Sequence, residues 1–130
     1  MRFCVIAHRG NSSIAPENTI PAFDAALQSG TSFEMDVQIT SCGTCIVLHD
    51  EKLGRTNNGS GPVSQADWAT ISSLDAGAWM GPQHAGCRIP SLKEVLERYR
   101  KRAHIHLVSR SDSNDIDVTQ SLASTYCAPA

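Results

Sequence analysis

A chain of 130 residues, with 11 Lys and Arg against 13 Asp and Glu and a net charge of −2, is sized for one ordinary domain. That balance offers no electrostatic case for nucleic acid or an anionic membrane, and no apolar run approaches the ~20 residues that span a bilayer. The apolar opening stops at His8-Arg9, too short for a signal-peptide core, and the five cysteines are an odd number, so the sequence reads as a soluble, cytoplasmic protein without a disulfide framework.

Phe3 to Ala7 reads as a short buried strand of the kind found in parallel sheets. It exits into His8-Arg9-Gly10, which joins a proton carrier, a planar cation suited to phosphate and a residue that permits close backbone approach. Taken alone, the tripeptide is more often an ordinary strand exit with surface polar residues. After a loop, Asn18 or Thr19 can cap a helix over Ile20 to Gly30, with Pro21 in its first turn and Gly30 at its end. Ile20, Phe23, Ala26 and Leu27 share one face of that helix.

Phe33 to Thr40 is the richest stretch. Its β-branched residues favour a strand, and alternation puts Glu34, Asp36 and Gln38 on one face and Met35, Val37 and Ile39 on the other. Adjacent carboxylates repel unless a positive charge lies between them, and a divalent cation is the usual solution. The strand–helix–strand order implies a parallel pair with a right-handed crossover. Thr40 to Thr44 reads as a tight turn with Gly43 at positive φ, followed by the apolar run Cys45 to His49. With Cys42-Gly43 as a two-residue loop, His49 pairs across from Asp36.

Residues 51–86 are rich in Gly, Asn and Ser and read as an inserted cap. It holds a short helix within Val63 to Ser73, capped by Ser64, and a small core that includes Trp68 and Trp79. Ser91 and Glu94 form a capping box for a helix whose apolar face is Leu92, Val95, Leu96 and Tyr99. Arg98, Arg100, Lys101 and Arg102 suit its C-terminal dipole, a solvated helix end. His104 to Val108 is a third parallel strand, and 111–130 is a poorly patterned tail. The C-x-x-C of Cys42 and Cys45 could complete a zinc site with His84 and Cys87, but the spacing is long and the turn already accounts for Gly43.

His8-Arg9-Gly10, Pro16-Glu17-Asn18-Thr19, Glu34-x-Asp36-Val37, His49-Asp50, Arg55-Thr56 and Ile89-Pro90-Ser91-Leu92 form an ordered set. Through it the chain resembles the glycerophosphodiester phosphodiesterase family from about Phe3 to Ser109. The resemblance implies an α/β fold of TIM-barrel type, (β/α)8, of which this chain supplies the first half or so as one partial domain over 1–130, with the family's insertion at 51–86. It implies metal-assisted hydrolysis of a small-molecule glycerophosphodiester to glycerol 3-phosphate and an alcohol, in lipid and glycerol metabolism, with Mg²⁺ or Ca²⁺ as cofactor.

By the same resemblance His8 and His49 are the general acid/base pair. The glycerol 2-hydroxyl attacks phosphorus, one imidazole takes its proton, the other protonates the leaving alcohol, and water then opens the cyclic phosphate. Glu34 and Asp36 are metal ligands, Arg9 binds phosphate, and Glu17 and Asn18 order the site. Two departures stand out. Where the family commonly carries a glutamate and a lysine on the third strand, this chain has His106 and Val108. His106 can still ligate as a neutral imidazole but adds no negative charge. A full barrel also needs ~250 residues. The alternative is therefore a catalytically impaired, truncated remnant that only binds phosphate or metal. An unclosed sheet leaves a free edge through which the chain could self-associate. A sphingomyelinase-D-like lyase shares the barrel and the histidine pair, but Pro16-Glu17-Asn18-Thr19 and the insertion favour the phosphodiesterase.

Overall fold

The computed structural model describes residues 5–109. Within them the chain runs β1 (Ile6–Ala7), α1 (Ile20–Gln28), β2 (Ser32–Ile39), β3 (Cys45–Val47), α2 (Trp68–Ser72), α3 (Leu92–Tyr99) and β4 (Ile105–Ser109). Single turns of 3-10 helix lie at Val63–Gln65 and Pro82–His84. Phe3, Cys4, Arg110, Cys127 and the tail over 111–130 lie outside the described residues.

Strand β2 is the centre of the sheet. β1 pairs with it in parallel, Ile6 beside Ser32, and β4 pairs with it in parallel, Glu34 beside His106 and Asp36 beside Val108. This parallel succession of strands and helices is that of the first part of a TIM barrel. One face of β2 carries Phe33, Met35 and Val37 into the main core, where they meet Phe23 and Ala26 of α1 and Leu92, Val95 and Tyr99 of α3. Phe23 stacks on Phe33 at 4.3 Å between ring centroids, and Tyr99 meets both rings edge-on. Each such side chain contributes about 2–3 kcal/mol by leaving water. The other face of β2 carries Glu34, Asp36 and Gln38.

The helices follow their sequence signals, with small differences at the caps. Pro21 lies in the first turn of α1, and Gly30 follows its end at φ 75°. Thr19 is the N-cap residue, yet its hydroxyl donates back to the Pro16 carbonyl rather than capping the helix. Ser91 caps α3 by accepting from the Glu94 amide at 3.1 Å. In the insertion the cap of α2 is Asp67, which accepts from the Thr70 amide, and not Ser64.

The β2–β3 hairpin differs from the expected register by one residue. Val37 pairs with Val47, Gln38 with Ile46 and Ile39 with Cys45, so that Leu48, not His49, lies opposite Asp36. The cause is the turn. Thr40 closes it by donating its amide to the Thr44 carbonyl and accepting the Thr44 amide on its hydroxyl, which makes the loop Ser41-Cys42-Gly43. Gly43 takes φ 84°, the left-handed third position of such a loop. The shift puts Ile46 and Leu48 on the acid-bearing face, where they anchor a second apolar cluster with Leu53, Val63, Ile71, Ala76 and Ile89. Trp68 packs against that cluster, whereas Trp79 is 45% exposed and is not part of its core. No helix among the described residues is long and apolar enough to cross a membrane.

Candidate active site

The carboxylates of β2 meet the two ends of the connection between β1 and α1. Arg9 and Asn18 both adopt left-handed backbone, at φ 58° and 57°, and the Asn18 amide donates to the Arg9 carbonyl at 2.9 Å. Gly10 follows at φ 80°, and a Cβ there would stand 2.8 Å from Ala22 of α1, so only glycine lets this loop lie against the helix. The two ends, tied together by the Asn18–Arg9 bond, turn their polar groups onto β2. The Arg9 amide donates to Glu34 Oε2 at 3.1 Å, and His8 Nε2 stands 3.5 Å from the same oxygen. Asn18 Nδ2 donates to Asp36 Oδ2 at 3.1 Å while the Asp36 amide donates to Asn18 Oδ1. Arg9 Nε, buried, forms an ion pair with Asp36 Oδ2 at 3.5 Å without a hydrogen bond.

Asp36 is fully buried, and the Glu34 side chain is partly buried, with 12% of its surface exposed. Burial, and then the neighbouring Asp36 charge, push the Glu34 carboxyl above its ordinary value despite the Arg9 amide. Two hard oxygen donors with excess negative charge are the donor chemistry a divalent cation fits. His106 lies beside Glu34 in the register and is exposed on the same face. Among the described residues, however, no group of three His, Cys, Asp or Glu side chains is gathered to hold a metal. The zinc alternative also does not assemble there: Cys45 is buried in the main core, while Cys42 is exposed and exchanges hydrogen bonds with Thr40 and Thr44.

His49 follows β3. Its carbonyl accepts from Gln38 Nε2 at 2.9 Å, which fixes the strand exit, and its Nδ1 lies 2.8 Å from Asp50 Oδ1. Asp50 is gripped by Arg55, through Nε to Oδ2 at 2.8 Å and Nη2 to Oδ1 at 3.0 Å. Those bonds are the main reason the Asp50 carboxyl is lowered to about 2. The same guanidinium reaches Glu17, Nη1 to Oε1 at 3.0 Å and Nη2 to Oε2 at 2.9 Å. Glu17 in turn accepts Arg9 Nη1 at 3.0 Å. Burial opposes ionisation of Glu17, but the bond and charge of Arg55, then those of Arg9, outweigh it and lower its pKa.

A continuous chain of contacts thus runs from His49 through Asp50, Arg55 and Glu17 to Arg9, and from Arg9 to both carboxylates of β2. The structure brings together His8, Arg9, Glu17, Asn18, Glu34 and Asp36, with His49 joined to them through that chain; His106 stands beside Glu34 on the open face. The sequence alone assigns no role to Gln38, Asp50 or Arg55. His49-Asp50 and Arg55-Thr56 are visible as motifs, but their partner Glu17 lies 38 residues from Arg55 and no local spacing points to it.

A model of the glycerophosphoryl diester phosphodiesterase family matches residues 8–124. Among curated relatives, a glycerophosphodiester phosphodiesterase of Caldanaerobacter subterraneus is 49% identical over 75% of this chain and 40% of its own length. One of Bacillus subtilis is 41% identical over 85% of this chain and 41% of its own. Among solved structures, a glycerophosphodiester phosphodiesterase from Agrobacterium tumefaciens superposes with a TM-score of 0.88 at 37% identity, covering 94% of this chain and 52% of the other. An Oleispira antarctica phosphodiesterase in complex with the product sn-glycerol-3-phosphate superposes with a TM-score of 0.81 at 31% identity, covering 95% and 51%. The chain therefore spans less than half the length of these curated relatives and about half that of the solved structures.

Proposed function

The chain belongs to the glycerophosphoryl diester phosphodiesterase family, and on that premise we propose that it carries the acid/base and phosphate-binding portion of an enzyme that hydrolyses glycerophosphodiesters to glycerol 3-phosphate and an alcohol. The observation that carries this reading is the single connected network from His49 to the carboxylates of β2, because acid/base, phosphate and cation groups must be held in one geometry to act together.

In the proposed reaction Arg9 binds the phosphate, and its fixed guanidinium meets the charge that builds on the non-bridging oxygens. One of His8 and His49 takes the proton of the attacking 2-hydroxyl, and the other protonates the leaving alkoxide. The roles reverse when water opens the cyclic phosphate. Asp50 holds His49 by Nδ1 and leaves Nε2 for proton transfer. Glu34 and Asp36 would hold the Mg²⁺ or Ca²⁺, with His106 beside them. A bound cation would neutralise phosphate charge.

A second reading, an impaired member that binds phosphate or cation without turnover, is favoured by His106 and Val108 flanking the acids where the family commonly carries Glu and Lys. Hydrolysis of glycerophosphocholine, measured with Mg²⁺ or Ca²⁺ and with chelator beside a His49→Ala control, separates the two. Cation-dependent glycerol 3-phosphate release that the control loses supports the enzyme. A folded chain without turnover supports the second reading.

A further inference from the structure

We propose that Arg55 is a positioning residue, the joint that holds the histidine-bearing and arginine-bearing loops of the site in one arrangement; this rests on the roles proposed above for His49 and Arg9. Its guanidinium makes two forked pairs, one to Asp50 and one to Glu17. Each of those carboxylates makes one further contact toward the site, Asp50 to His49 Nδ1 and Glu17 to Arg9 Nη1. Arg55 therefore stands one carboxylate away from the imidazole that would move protons and one carboxylate away from the guanidinium that would bind phosphate. Charges alternate along the row, Arg9, Glu17, Arg55, Asp50, so each anion lies between donors.

The arrangement has a chemical consequence at His49. Asp50, ionised and engaged by Arg55, is acceptor-only toward the imidazole, so Nδ1 carries the hydrogen and Nε2 is free to accept a proton. Without Arg55, Asp50 loses the fork that fixes its plane, and the imidazole loses the constraint that selects one tautomer. A lysine could not substitute fully, because a single ammonium cannot form two planar pairs at once.

The loop that presents Arg55 does not depend on this side chain for its shape. Leu53 donates its amide to the Gly61 carbonyl and Val63 to the Glu51 carbonyl. Asn57 Oδ1 accepts the amides of Gly54 and Gly59, and Leu53 and Val63 are buried in the second apolar cluster. A change at Arg55 should therefore leave a folded chain with a loosened site.

The test reads the histidine directly. Nitrogen-15 spectra of the whole chain, wild type beside Arg55→Gln and Arg55→Lys, report the His49 tautomer at a pH where the ring is neutral. The wild type should show the Nδ1–H form, Arg55→Gln a mixture of both tautomers, and Arg55→Lys an intermediate mixture. An unchanged Nδ1–H form in both folded variants overturns the proposal, as does a mixture in the wild type. Should Arg55→Gln unfold, Arg55→Lys decides by the same criterion. Where the wild type turns over glycerophosphocholine, kcat should fall by about 10²-fold in Arg55→Gln through His49, with KM raised through Arg9, and partial recovery in Arg55→Lys. Absence of turnover in the wild type would defeat the proposed reaction while the tautomer measurement still tested Arg55.

Discussion

Arg9 and Asn18 occupy left-handed backbone although neither is glycine, and what offsets that cost is specific to each. Asparagine tolerates the conformation; a β-carbon with a long chain, as in Arg9, costs of order 1–3 kcal/mol there. Arg9 is held by the hydrogen bond its backbone N–H donates to Glu34 and by its ion pairs with Glu17 and Asp36. Asn18 exchanges two hydrogen bonds with the buried Asp36. Asn18→Ala should therefore lose about 2–3 kcal/mol in urea unfolding, by removing both bonds and straining φ. Asn18→Gly should recover about 1 kcal/mol of that by relieving the backbone alone; equal losses in the two variants would show that strain plays no part.

Asp50 and Glu17 make the stability of the chain depend on pH. Both folded-state pKa values are depressed, Asp50 to about 2. A depressed carboxylate contributes stability that is fully present above its unfolded value, about pH 4, and that disappears as pH falls through the folded value. Discounted for solvent screening, the pair is worth about 1–2 kcal/mol. Arg55→Gln should accordingly be less stable than wild type by that amount at pH 6, and the gap should close near pH 2. A gap that stays constant across that range would mean that Arg55 does not act through these carboxylates.

At the scale of elements, alternation and helical periodicity carried most of the fold, because they follow from side chains meeting one face. Glu34, Asp36 and Gln38 do share a face of β2, and the apolar face of α3 is the one that packs. What alternation does not fix is register, since Thr40 closes the turn with its own hydroxyl and lengthens the loop by one residue. Nor does composition fix burial in irregular backbone, where Trp68 packs and Trp79 does not. The site was legible as residue types and motifs, while the Arg55 joint was not, because it rests on long-range pairs between loops. The tie between α1 and α3 is of the same kind. Tyr99 is fully buried, its hydroxyl donates to Asp24 Oδ1 at 2.7 Å, and Arg98 pairs with the same carboxylate. Burial first, then the Asp24 bond, raise the Tyr99 pKa, so the hydroxyl stays protonated as donor. Tyr99→Phe keeps the ring contacts and should cost about 1–2 kcal/mol in urea unfolding; no loss would show that the helices are held by ring packing alone.

At the scale of the whole molecule, the acid-bearing face of the sheet is covered by the insertion over β3 and open along β1 and β4. Ile6 of β1 and Val108 of β4 are 43% and 37% exposed on it, and the buried Asp36 lies between their strands on β2. In parallel pairing, residues side by side point to the same face, so His106 stands next to Glu34 and at the edge of the carboxylate pair. An imidazole there can lend a nitrogen but no negative charge, and hard cations prefer charged oxygen. His106→Glu should thus supply the third carboxylate. Without cation, the added like charge should lower the melting temperature relative to wild type. With Ca²⁺, binding to the folded state alone should raise it in proportion to occupancy, and the rise should begin at roughly tenfold lower Ca²⁺ in His106→Glu than in wild type. The two effects have opposite signs, so a general gain or loss of stability cannot imitate them. Melting curves that shift equally with Ca²⁺ in both proteins would mean that the side chain at position 106 takes no part in cation binding, and that any cation held by Glu34 and Asp36 draws no ligand from this position of β4.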